Sequence, residues 1–219
     1  MSLLITICTQ NGLVMAADSR ISYFENGGSY YSDNAQKVFL TPNNVGISTC
    51  GSAGINDKRI EFAIQQFIEE HALCDAEEIA NAIIPYFKKL NPALDTTFHI
   101  CGMINDEFVG YRSYTKTEEV FDCKNFFNSC GIIWNGDSYV LNRLLNAYFH
   151  VQSDGNPGER EMYRQVPWQN FVVEDAVEFV KFAMETSIRM QRFHETKPTI
   201  GGPIRILAIT KNGGRWYSE

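Results

Sequence analysis

The 219-residue chain contains no run approaching the roughly 18 consecutive apolar residues of a membrane-spanning helix, which argues against an integral membrane protein built on helices. It has no stretch where Lys and Arg concentrate, and the formal net charge is −7. Nucleic acid and anionic membrane surfaces are therefore not expected as main partners. The start has no basic region followed by a long apolar run and a small-residue cleavage site, so no signal peptide is expected and the reading is cytoplasmic. Six cysteines are scattered without a single CxxC pair, and four histidines (His71, His99, His150, His194) form no ligand-spaced cluster. Reduced, mostly buried thiols are the expectation, with no metal and no organic cofactor. Internal repeats, low-complexity tracts and linker-like stretches are also missing, so residues 1–219 are expected to form one domain.

What is present reads as strands and helices in alternating blocks. Leu3–Cys8 and Leu13–Asp18 have strand character and flank Asn11-Gly12, a strong hairpin signal. Residues 22–36 are polar and glycine-containing and are expected to be a loop. Lys37–Leu40 and Val45–Cys50 suggest a second hairpin around Pro42. Ile60, Ile64, Phe67 and Ile68 recur at helical spacing, and so do Ile79, Ile83, Phe87 and Leu90 in a second helix. That helix opens on Asp75 and Glu78, an acidic capping box, and contains Pro85. Strands are expected at 97–104, 108–113, 119–123 and 126–132. Helices follow at 136–150 and 173–192, and strands at 203–210 and 215–217. Two strand blocks with helices in two pairs predict an α+β fold: a four-layer αββα sandwich of stacked antiparallel sheets with a helix pair on each outer face.

The chemistry-bearing residues lie early. Ser2 follows the start methionine, and its side chain is small enough for methionine aminopeptidase to remove Met1. A freed Ser2 would carry a hydroxyl and an α-amine of pKa about 7.7–8.0 on one residue, a nucleophile with its own base. Such a pair needs a cation to lower the amine's proton affinity, an acid to hold the cation, and a backbone N–H for the developing oxyanion. Lys37, Asp18 and Gly51 are the candidates. Read separately, Asp18 is equally a strand-end turn residue and Lys37 a solvated edge charge.

Three stretches, Leu13-Val14-Met15-Ala16-Ala17-Asp18-Ser19-Arg20, Gln36-Lys37-Val38-Phe39 and Gly46-Ile47-Ser48-Thr49-Cys50-Gly51-Ser52-Ala53-Gly54, resemble the N-terminal third of proteasome β subunits. The HslV peptidase and the bacterial homologue Anbu share this pattern. Ile200-Gly201-Gly202-Pro203-Ile204 resembles the Anbu-like members. The resemblance implies an N-terminal nucleophile hydrolase, a threonine- or serine-type protease or amidase working within a homo-oligomeric ring or related assembly. It places Ser2 where the family has its terminal threonine, Lys37 and Asp18 at its lysine and aspartate, and Gly51 at its oxyanion glycine. It says nothing about an ATPase partner.

The match breaks at two places. Ile132 and Ile133 stand where the family's relay serine is expected, with Ser129 as a possible substitute, and Glu195 or Thr199 would have to replace its late aspartate. A catalytically silent scaffold subunit and a small-molecule amidase or acyltransferase are the alternative functions. Trp134, Trp168 and Trp216 read as packing or interface residues. Tyr23, Phe24, Tyr30 and Tyr31 read as a subunit contact in preference to a substrate pocket.

Overall fold

A computed structural model describes residues 2–25, 28–123, 130–145, 149–151, 157–160, 166–193 and 198–217. In chain order the strands are β1 (Leu3–Cys8), β2 (Leu13–Ala17), β3 (Ile21–Glu25), β4 (Gly28–Ser32), β5 (Val38–Leu40), β6 (Gly46–Gly51), β7 (Gly54–Ile55), β8 (Lys58–Arg59), β9 (Thr96–Ile104), β10 (Glu107–Tyr114), β11 (Glu119–Asp122), β12 (Gly131–Gly136), β13 (Phe149–Val151), β14 (Pro157–Arg160), β15 (Arg205–Thr210) and β16 (Gly213–Trp216). The four helices among the described residues are α1 (Ile60–Glu70), α2 (Ala76–Leu90), α3 (Tyr139–Leu145) and α4 (Val173–Met190).

Two five-stranded antiparallel sheets carry the architecture, in the orders β12-β1-β2-β15-β16 and β11-β10-β9-β6-β5. The first hairpin forms where Asn11-Gly12 signals it, but with Gln10 and Asn11 at its tip and no positive φ at Asn11 or Gly12; the Thr9 N–H donates to the Gly12 carbonyl at 2.9 Å. Gly12 is needed for packing, since a Cβ there would lie 2.6 Å from the Val173 side chain at the start of α4. Strand β1 is buried at every position, so its six residues read as a continuous apolar run instead of an alternation.

The pleat of β1 sends its residues into two different cores. Leu3, Ile5 and Ile7 pack with Leu141 of α3 and with Val177, Val180 and Met184 of α4. Leu4 and Cys8 join Met15 and Leu207 of their own sheet and Val38, Cys50 and Cys101 of the other. A third core sets Ile47, Phe98 and Ile100 against Ile64 and Phe67 of α1 and Ile79, Ile83 and Phe87 of α2. Asp75 caps α2 as expected: its carboxylate accepts from the Glu77 and Glu78 N–H groups, and the Glu78 side chain accepts from the Asp75 N–H.

Several boundaries differ from the sequence reading. The 22–36 segment is not all loop, because β3 and β4 form a hairpin whose Tyr23 pairs with Tyr30. Cross-strand aromatic and β-branched pairs favour strands even where flanking residues are polar. The strand expected at 126–132 is found at Gly131–Gly136, while 124–129 fall outside the described residues. The helix expected over 136–150 is confined to Tyr139–Leu145, and Phe149–Val151 pairs with Pro157–Arg160.

One polar chain crosses the layer between the sheets. His99 on β9 is fully buried; its Nδ1 lies 2.9 Å from the Thr6 hydroxyl on β1 and its Nε2 2.8 Å from Asn135 Oδ1 on β12. Asn135 in turn donates to the Tyr114 hydroxyl at 3.3 Å. Burial pushes the imidazole down to about 4, opposed by the bond to Asn135. The unfolded chain takes up a proton near 6.5 and the folded one near 4. Stability from this site is therefore complete above pH 6.5 and drains away as pH falls toward 4, by roughly 3 kcal/mol over that window. Denaturant unfolding of wild type and His99→Gln at pH 7 and pH 4.5 is expected to show a steeper acid loss in wild type; equal losses would refute the assignment.

Candidate functional site

Asp18 is the first residue after β2, where the chain stops pairing and turns. Its carboxylate is buried and takes four N–H donors. Oδ1 accepts from the Leu3 N–H at 3.0 Å and from Lys37 Nζ at 2.9 Å, and Oδ2 accepts from the Arg20 and Gly201 N–H groups, both at 3.1 Å. Lys37 immediately precedes β5 and is 5% exposed. Its ammonium also donates to the Arg20 carbonyl. Burial lowers the Lys37 pKa, while Asp18 pulls in the opposite direction. The neighbouring Cys50 thiol is pushed up to about 12 by burial, against the pull of Lys37, and so stays protonated.

Ser2 is held by its backbone. Its carbonyl accepts the Asp137 N–H at 2.8 Å, one step beyond the ladder pairing of Leu3 with Gly136. Gly136 has φ +94°, and a Cβ there would sit 1.7 Å from the Ser2 carbonyl oxygen, so no other residue permits this approach. Ser2, Lys37 and Gly51 line a single cavity of about 160 Å³, with Ala35, Thr49 and Ile60 on its other walls. Gly51 has φ +123°, and a Cβ would lie 2.4 Å from the Asp95 carbonyl oxygen. Three of the four principal residues picked from the sequence thus share one cavity, and Asp18 stands behind the lysine. Ser129 and Glu195 lie outside the described residues.

Thr199 is brought near this site, together with two residues the sequence reading missed. The Asp137 carboxylate oxygen Oδ2 accepts from the Thr199 hydroxyl and from the Gln191 side-chain amide, each at 2.6 Å. Gln191 Oε1 accepts in turn from the Thr199 N–H at 2.8 Å. The isoleucines thought to occupy the relay position are in mid-strand, where Ile132 pairs with Ile7 and Ile133 with Thr6. Gly136, the last residue of β12, and Asp137, the residue after it, lie beside Ser2. The signal available in the sequence was Gly136-Asp137-Ser138 just before an apolar helix, a glycine turn with capping residues. Placing the strand five residues early hid it.

Arg20 anchors the adjoining wall. It makes a two-pronged pair with Asp33, Nε to Oδ1 and Nη2 to Oδ2, both 2.7 Å, and its guanidinium lies 3.9 Å from the Tyr31 ring centre. A Cβ on Gly201 would lie 2.5 Å from the guanidinium carbon, which explains the small residue there. Among the described residues no three His, Cys, Asp or Glu side chains are grouped as metal ligands, and no helix is long and apolar enough to cross a membrane.

No family model matches the chain, and no curated protein matches it. Solved structures do. An Anbu (Gly-1) mutant from Hyphomicrobium sp. strain MC1 superposes with a TM-score of 0.65 at 13% identity, covering 100% of this chain and 87% of that one. Anbu (ancestral beta-subunit) from Yersinia bercovieri gives 0.67 at 11% identity, covering 99% and 87%. The likeness in the first 54 residues thus extends, as a fold, over the whole chain, which has the architecture of the Anbu structures.

Proposed function

We propose that this protein is a serine-type N-terminal nucleophile hydrolase, a peptidase or amidase on a four-layer αββα sandwich, active within an oligomer of its own copies. One observation carries the proposal: a buried ammonium, Lys37, is clamped by a buried carboxylate in the wall of the cavity that Ser2 also lines. Burying an ion pair is costly and seldom improves stability over apolar packing, so its position beside a hydroxyl supports a chemical role.

In this mechanism removal of Met1 frees the Ser2 amine. The amine takes the hydroxyl proton as Oγ attacks the amide carbonyl, and the new C–O bond makes a tetrahedral adduct. Lys37 keeps the amine's proton affinity low and stabilises the developing negative charge. The Gly51 N–H receives the oxyanion. The ammonium returns its proton to the leaving nitrogen as the C–N bond breaks, and water then hydrolyses the ester on Ser2. Asp137, locked by Thr199 and Gln191, acts as a positioning residue that fixes the Ser2 backbone and presents a carboxylate near the freed amine. Asp18 also ties β1, its own turn and the Gly201 loop together, but a non-catalytic scaffold would have no need of a buried ammonium in the cavity that Ser2 lines.

Treatment with a peptide epoxyketone or β-lactone, followed by mass mapping of the adduct, is expected to mark Ser2 in chains that have lost Met1. Ser2→Ala should take up no label while keeping its melting temperature. A label elsewhere, or a mature chain that retains Met1, would sink the mechanism. Lys37→Met removes the charge at similar length and should slow labelling by about a hundredfold or more; labelling at the wild-type rate would take lysine out of the reaction. Asp137→Asn keeps the backbone bond to Ser2 and is expected to lose about tenfold in rate with a shifted pH profile. An unaltered profile would reduce Asp137 to a structural residue.

A further inference from the structure

Four of the six cysteines, far apart in the sequence, gather at one end of the molecule's central layer. Cys8 ends β1, Cys101 lies on β9 and Cys123 follows β11, and all three are buried in the core between the sheets. Cys130 immediately precedes β12 and is partly exposed. All four are thiols, and they are not grouped as metal ligands.

Strand register decides which sulfurs can meet. Cys8 pairs with Gly131, so Cys130 lies one residue beyond that pair on the neighbouring strand. An extended Cys130 would point to the opposite face of the sheet from Cys8. Instead its φ is +52°, a left-handed conformation that residues with a Cβ seldom adopt. The turn brings the thiol to the Cys8 side, where the Cys8 S–H donates to the Cys130 sulfur. Two other combinations are out of reach. Cys101 is the ladder partner of Gly110, and the Cys123 N–H donates to the Gly110 carbonyl at 2.9 Å. Cys101 and Cys123 are therefore two strand spacings apart, roughly 10 Å, and Cys8 is one sheet spacing from Cys101, again roughly 10 Å. A disulfide spans at most about 7 Å between Cα atoms.

We infer that Cys8 and Cys130 form an oxidation site, a dithiol that a peroxide converts to a disulfide clasping β1 to β12. The Cys130 thiolate attacks one peroxide oxygen and the O–O bond breaks. The proton that Cys130 gave up joins the departing hydroxide as water, and Cys130 is left as a sulfenic acid. The Cys8 sulfur then attacks the Cys130 sulfur, its proton leaves with the displaced hydroxide as a second water, and the S–S bond closes. Two thiols are oxidised and one peroxide is reduced to two waters. The order follows from the surroundings. Solvent reaches Cys130, and the bond it accepts from Cys8 lowers its pKa against the upward push of burial. Burial holds the Cys8 thiol up to about 12, which suits it to the second step. The clasp closes one end of the ladder whose other end pairs Leu3 with Gly136 and sets Asp137 against Ser2. It fixes in register the two strands that carry the candidate site, and it does so whether or not Ser2 is a nucleophile.

Mass mapping tests the clasp on the whole protein. Wild type is treated with hydrogen peroxide, alkylated, digested without reductant and analysed. A linked pair of peptides carrying Cys8 and Cys130 is expected, about 2 Da lighter than the two thiol peptides together and released by dithiothreitol. The linked protein should melt several degrees above the reduced one, because the bond closes a long loop in the unfolded chain. Cys130→Ser, at a partly exposed position, should keep the reduced fold and form no link. In Cys8→Ala the reaction should stop at the sulfenic acid, which dimedone traps on Cys130. A link through Cys101 or Cys123, no link at all in wild type, a dimedone adduct on another cysteine in Cys8→Ala, or a linked protein that melts no higher than the reduced one would each overturn the assignment.

Discussion

The carboxylate of Asp18 is the constraint on which the site depends. It sits where β2 ends, yet its four donors come from β1, from its own turn, from Lys37 and from the Gly201 loop. Each of these elements has other reasons to be near. Leu3 is in the ladder of the first sheet, Lys37 leads into the second sheet, and Gly201 precedes β15. The carboxylate joins all of them at one point. Because both oxygens are fully used by N–H donors, the charge is solvated by protein and has no tendency to draw in water. Removing one partner would leave the others with an unmet buried charge, a loss of about 3–5 kcal/mol in comparable pairs.

This arrangement also accounts for the state of Lys37. An exposed lysine would stay charged at any working pH and would be shielded by water. Here desolvation pulls the ammonium down and Asp18 holds it up, so the charge persists but is less strongly hydrated. A lysine in that condition exerts a larger field on neighbouring groups than a surface one. Cys50 lies in the same wall and could compete as a nucleophile, yet its thiol is pushed up to about 12 and is inert at neutral pH. The same burial that sensitises the site to Lys37 silences the sulfur beside it.

The parts of this fold that were legible in the sequence share a physical reason. Asn11-Gly12, the Asp75–Glu78 cap and the 3.6-residue stripe of α2 are local signals, set by residues within a turn of one another. Asp18, Lys37 and Gly51 were readable because their spacing follows that of a familiar family, and the cavity brings Lys37 and Gly51 together with Ser2. The sequence places β12 too early because Phe126, Phe127, Ile132 and Ile133 give an apolar run that extends across two possible registers. Its true limits are fixed by pairing with β1 more than 120 residues earlier, which no local pattern encodes. The hairpin of β3 and β4 reads as loop in the sequence for a related reason. Its support, Arg20 locked to Asp33 and stacked on Tyr31, is a tertiary feature.

The misplaced strand is also what concealed the Asp137 cluster, and its composition bears on how the site is assembled. The end of β12 supplies a carboxylate, and the segment before Gly201 supplies the Thr199 hydroxyl that donates to it. The familiar pattern has these chemistries the other way round, a hydroxyl at the strand and an acid in the late segment. A carboxylate and a hydroxyl that hydrogen-bond to each other can exchange places if a third group keeps the pair in register, and Gln191 does so by bonding both partners and the Thr199 N–H. The pair of one carboxylate and one hydroxyl is kept, and the strand end and the late segment differ only in which of them carries the charge.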